Sequence, residues 1–191
     1  MDHIISTGNS LILCQLAERI WSSDTDNDSA RDAISSEASA NPTAGASRPF
    51  RSTIHVSNNK DLCSVKNGTE VIEMRQRVCN DPAINALDLE KCSTSLVELV
   101  IGNECLQYLA GLKLQRYEKL GRVVIGKECC TLTKGGSFEV SDCAALKYVR
   151  VGRGSCVDWS SLVVKNCTVM EVIIGNDSFV NCETTMFESM R

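Results

Sequence analysis

The chain is poor in the residues that do most enzymatic and nucleic-acid chemistry. Of 191 residues, two are His, four Phe, two Trp and three Tyr. So few imidazoles leave little for general acid–base catalysis, and so few rings leave little for stacking bases. No apolar run approaches the roughly 20 residues that span a bilayer, which excludes a membrane-crossing helix. There are eleven cysteines, yet no C-x-x-C pair, so a zinc ribbon has no support. A secretory leader is not expected: no basic segment opens the chain, and Asp2 precedes the first apolar patch, which soon meets Gln15, Glu18 and Arg19.

What is present divides at about residue 50. Residues 1–49 hold seven acids and three bases, whereas residues 50–191 hold seventeen of each, so the net charge of −4 belongs to the first quarter. Residues 1–21 read as a short amphipathic helix, with Leu13, Leu16, Ala17 and Ile20 at helical spacing behind Asn9 or Ser10 as a cap. In residues 22–49 the one large apolar side chain is Ile34, and this stretch reads as a disordered acidic linker. The 43% apolar content is otherwise enough for a core.

Residues 50–191 are repetitive. Leu99-Val-Ile-Gly102, Val123-Val-Ile-Gly126, Val149-Arg-Val-Gly152 and Val172-Ile-Ile-Gly175 align, their glycines 24, 26 and 23 residues apart, and Ile72-Glu-Met-Arg75 is a weaker copy. A second series runs Leu87-Asp-Leu89, Leu112-Lys-Leu114, Phe138-Glu-Val140 and Leu162-Val-Val164, with Cys92, Tyr117, Cys143 and Cys167 three residues after each. Ile54-His-Val56 followed by Asn59 reads as a degenerate early copy of this second series, and Phe187-Glu-Ser189 as a late, unfinished one. Each unit of about 25 residues thus holds two short strands, A and B. Period-2 alternation points Ile72/Met74, Leu99/Ile101, Val123/Ile125, Val149/Val151 and Val172/Ile174 inward from strand A, all apolar. A unit this small cannot close its own core, so the expected fold is a mainly β repeat solenoid of stacked parallel strands. Glycine is expected to end strand A by turning with positive φ.

The repeats resemble the leucine-rich repeat. Leu120-x-x-Val123-x-Ile125 and Leu146-x-x-Val149-x-Val151 carry the pattern, and the I-G or V-G that follows, with Gly175-Asn-Asp-Ser-Phe179, is similar to the BspA-like branch known from bacteria and protists. The turn asparagine of that pattern is replaced by Glu104, Glu128, Gly154 and Asp177. The resemblance implies binding through the outward side chains of the strand-A sheet. These are Val71 and Glu73, Glu98 and Val100, Arg122 and Val124, Tyr148 and Arg150, Glu171 and Ile173. They should form two ladders, Glu98-Arg122-Tyr148-Glu171 and Val100-Val124-Arg150-Ile173. Apolar, aromatic and arginine side chains without lysine match the core of a protein interface.

Other motifs point to no chemistry. Gly121-Arg-Val-Val-Ile-Gly126-Lys127 mimics the start of a phosphate-binding loop, but its middle is a strand and Glu128 stands where Ser or Thr would hold magnesium. His55 lies between Ile54 and Val56 on an outward position, and no catalytic, metal or cofactor residue is assigned. The cysteines recur at repeat positions and read as small buried thiols of a reducing compartment. Vicinal Cys129-Cys130 is the one pair in which redox or soft-metal chemistry would be sought. The sequons at Asn27, Asn67, Asn166 and Asn176 read as turn asparagines. Residues 113–165 hold ten bases and five acids, but these scatter over several faces, and nucleic acid is not the expected ligand. The expected function is a non-enzymatic, cytoplasmic protein–protein interaction module. The alternative is a BspA-like cell-surface adhesin exported without a leader. Self-association through the open C-terminal edge is the further expectation.

Overall fold

The computed structural model describes residues 51–169 and 171–189. The helix expected within 1–21 and the linker of 22–49 lie outside these residues. The described chain is a stack of short rungs with two sheets that share one core. Sheet A holds β1 (Thr53–Val56), β2 (Val71–Met74), β3 (Glu98–Ile101), β5 (Arg122–Ile125), β7 (Tyr148–Val151) and β9 (Glu171–Ile174) in that order. Sheet B holds β4 (Gly111–Gln115), β6 (Ser137–Ser141), β8 (Ser161–Cys167) and β10 (Thr184–Ser189). Every pairing is parallel. The architecture is therefore the expected parallel-strand β-solenoid, with almost no helix.

The strands form where β-branched residues alternate between a buried and a solvated face. Leu99, Val123 and Val149 pair in register and are fully buried, as are Ile101, Ile125 and Val151 beside them. From sheet B, Leu112, Phe138 and Leu162, then Leu114, Val140 and Val164, project into the same cluster. Burying one such side chain is worth about 1.5–3 kcal/mol, and each does so against its counterpart in the next rung. Trp159 is fully buried at the C-terminal end of this core, where Phe179 meets both its ring and that of Phe138 edge-on.

Four local expectations are corrected. Ile54-His55-Val56 belongs to sheet A, not to the second series, because Ile54 pairs with Ile72 and Val56 with Met74. The short helix α1 (Asn59–Leu62), capped by Asn58 and Asp61, stands where a strand B would otherwise follow. Leu87-Asp88-Leu89 is not a strand. The Asp88 carboxylate accepts the Glu90 N–H at 3.1 Å and bends the chain into a 3₁₀ turn, Glu90–Cys92, although Leu89 still reaches the core. At the other end Phe187 aligns with Val164, not with Leu162, and β10 is a full six-residue strand.

The fourth correction concerns glycine. Gly102, Gly126, Gly152 and Gly175 do not have positive φ. They are required by close stacking: a Cβ on Gly152 would stand 2.5 Å from the carbonyl carbon of Gly126, and one on Gly126 2.6 Å from that of Gly102. Positive φ falls two residues later, at Glu104 (57°), Glu128 (55°), Gly154 (66°) and Asp177 (60°), the four positions that replace the repeat's turn asparagine. The main chain supplies the bonding there. The N–H of Glu104 donates to the carbonyl of Lys127 at 2.8 Å, Glu128 to Arg153 at 2.9 Å and Gly154 to Asn176 at 2.9 Å. The turns are thus as continuous a ladder as the strands.

Candidate functional site

The register of sheet A sets out its outer face residue by residue. Glu98 pairs with Arg122, Arg122 with Tyr148 and Tyr148 with Glu171; Val100 pairs with Val124, Val124 with Arg150 and Arg150 with Ile173. Both ladders read from the alternation are present. Toward the N-terminus they continue through Val71 and through Glu73 and His55, whose Nδ1 lies 3.1 Å from the Glu73 carboxylate.

The face is not uniform along its length. Glu98 lies 3.5 Å from the Arg122 guanidinium, and that guanidinium sits 5.2 Å from the centre of the Tyr148 ring. Both charged side chains are half-buried; a cross-strand charge pair contributes about 0.2–1 kcal/mol, and a cation over a ring about 0.5–2 kcal/mol. In the neighbouring ladder Val100 and Val124 are only 7% and 6% exposed, although neither belongs to the core cluster. Those two of the eight sequence-selected residues therefore offer little surface. Arg122 Nε is buried without a hydrogen-bond partner among the described residues. Past Tyr148 the face opens: Arg150 and Glu171 are exposed, and Tyr148 and Ile173 are half-buried.

The open half is flanked by cations that the ladders alone do not reveal. Lys147 precedes β7, and Lys127 and Arg153 occupy matching turn positions after Gly126 and Gly152. Lys147 and Arg153 are exposed and Lys127 is half-buried, and none of these three, nor Arg150, forms an ion pair among the described residues. The signal was in the sequence: Ala144 to Val157 contains three bases and no acid.

On the opposite face, that of sheet B, one carboxylate serves two lysines. Glu139 lies 3.4 Å from Lys113 and 3.6 Å from Lys165, and accepts a hydrogen bond from Ser141.

Most of the described cysteines are buried in the stack. Cys105 donates its thiol to the Arg75 carbonyl at 2.9 Å, and Cys129 donates to the Gly102 carbonyl at 3.1 Å. Ser155 and Ser178 do the same one and two rungs on, to Gly126 and Gly152 at 2.7 and 2.8 Å. Thiol and hydroxyl are interchangeable there because the position asks for one short donor aimed at the rung below. Burial pushes the thiols of Cys79 and Cys92 up to about 11 and raises Cys129 further still. Cys130 is raised by its hydrogen bond to Cys156, with burial adding to it. The vicinal pair Cys129-Cys130 is thus two buried, protonated thiols with separate partners. His55 is exposed and paired with Glu73. Among the described residues no group of three or more His, Cys, Asp and Glu side chains is placed to hold a metal ion, and no helix is long and apolar enough to cross a membrane.

Compared with protein families, curated proteins and solved structures, the chain matches none.

Proposed function

We propose that the chain is a non-enzymatic interaction module that binds a protein partner through the outer face of sheet A. We read its rungs as irregular leucine-rich repeats of BspA-like type, supported by the Leu-x-x-Val-x-Ile pattern and by the glycine that closes four of the six strands of sheet A. The observation that carries the binding reading is the open half of the face, where Tyr148, Arg150 and Ile173 stand together and Arg150 forms no ion pair among the described residues. Tyrosine and arginine are the residue types that concentrate binding energy at protein interfaces, and the apolar Ile173 beside them provides a surface that gains from leaving water. On sheet B, by contrast, Lys113 and Lys165 both already face the Glu139 carboxylate.

The test is affinity capture with the 191-residue chain against a variant carrying Tyr148→Ala, Arg150→Glu and Ile173→Ala. All three side chains point away from the core, so the variant should keep the wild-type circular dichroism. Proteins that bind through this face should fall at least tenfold in recovery, a loss of about 1.4 kcal/mol or more. Undiminished recovery of every captured protein by a folded variant would remove sheet A as the binding surface.

A further inference from the structure

The acidic surplus of the chain and the unpaired cations of its solenoid sit on two different segments. Residues 1–49 are net −4, and Asp24, Asp26, Asp28, Asp32 and Glu37 lie close together there with Arg31 as the one base among them. The solenoid is neutral as a whole, yet around β5 and β7 it sets Lys127, Lys147, Arg150 and Arg153 on and beside the outer face of sheet A, with no carboxylate paired to any of them among the described residues.

From these observations we propose that the acidic segment Asp24–Glu37 of this same chain docks on the cationic end of sheet A's outer face, around Arg150 and Arg153, and masks it. The proposal names the regulation of the surface assigned above and rests on that reading for its consequence, but not for its geometry.

Reach favours it. The chain enters the solenoid at Arg51, next to β1, and β1 is the edge strand of the same sheet. From β1 to β7 is four strand spacings, or about 19 Å at about 4.8 Å each. The nineteen residues from Asp32 to Arg51 reach up to about 60 Å when extended. A tether of that length holds the acids near the face at an effective concentration of about a millimolar, so even weak charge pairing becomes occupied. Arg122 contributes less because Glu98 already engages it. The cation best placed to receive a carboxylate is Arg150, which is exposed between Val124 and Ile173 in the ladder. An incoming partner would have to displace the segment, so acidic partners would be favoured over neutral ones of the same shape.

The experiment is zero-length carbodiimide coupling of the full 191-residue chain, with the monomer band isolated and its cross-links mapped by mass spectrometry. The expected result is amide bonds from Asp24–Glu37 carboxylates to Lys127 and Lys147, in preference to Lys60, Lys113 and Lys165. Their yield should fall about tenfold when salt is raised from about 0.01 M to about 1 M, which shortens the screening length from about 30 Å to about 3 Å. It should fall similarly in an R150E/R153E variant, which keeps every reacting lysine and carboxylate. Cross-links spread evenly over the lysines, or indifferent to both salt and R150E/R153E, would overturn the proposal. So would cross-links confined to a dimer band, which would make the occupant a second copy. Because the readout needs no partner, a failure here leaves the binding role of the face standing, and a failure of the capture experiment leaves this contact standing.

Discussion

At the scale of the residue, the same side-chain type does different work according to where the stack places it. Gly121 and Gly152 lie within two rungs of each other, but a Cβ on Gly121 would meet nothing nearer than 3.7 Å, whereas one on Gly152 would press into the Gly126 carbonyl. Gly152→Ala is therefore expected to cost at least about 2 kcal/mol, while Gly121→Ala should be neutral or gain up to about 1 kcal/mol by restricting the unfolded chain. Urea unfolding of the two variants side by side checks this, and equal effects would contradict the stacking role. The importance of these glycines was legible in the sequence, because they recur. The reason was not, because a glycine needed for φ and one needed for clearance look alike until the neighbouring rung is in place. The turn residues show the converse. Glu104 and Glu128 give no hint of left-handed backbone as residue types, and they adopt it because their N–H groups are held by the next rung.

Elements follow from alternation where two copies support each other and depart from it where one is missing. Strands β3, β5, β7 and β9 and their inward side chains match the repeat as read, and so do the two ladders of the outer face. Leu87-Asp88-Leu89 has the same apolar pattern as β4, yet Asp88 captures a backbone N–H and the strand is lost. Pattern alone could not weigh that local bond against a missing neighbour. It also could not show that Val100 and Val124, outward by alternation, would be almost fully buried. The core of the elements carries a pH signature. Buried Cys79, Cys92, Cys105, Cys129, Cys130 and Cys143, together with Tyr117, all hold their protons more tightly than in the unfolded chain. For Cys143 the chief cause is the hydrogen bond it shares with Cys167, which shifts Cys167 the opposite way. A raised thiol stabilises the fold fully below the unfolded value, and that stability is lost as pH rises toward the folded one. The urea midpoint under reducing conditions should therefore decline from about pH 9 to about pH 11. A midpoint that holds or rises across that interval would show that the thiols are not buried as described.

For the whole molecule, each rung meets only the rungs on either side, and the properties of the protein are those of a short one-dimensional array. On sheet B, Lys113 and Lys165 both face Glu139, while at one end of sheet A a tyrosine and an isoleucine stand beside a row of cations that form no ion pair among the described residues. That asymmetry is what turns a repetitive scaffold into one with a preferred face. Everything assigned to the face depends on its side chains standing in file, each above its counterpart and outside the core. Methyl-detected nuclear Overhauser spectroscopy tests that arrangement directly. Contacts are expected from Leu99 to Val123, Val123 to Val149 and Val149 to Val172, and separately from Val100 to Val124, with leucine methyls of sheet B reached from the first file and never from the second. Contacts from Val100 or Val124 to Leu112 or Leu114, or a missing link between Val123 and Val149, would contradict the stacked arrangement and the face built on it.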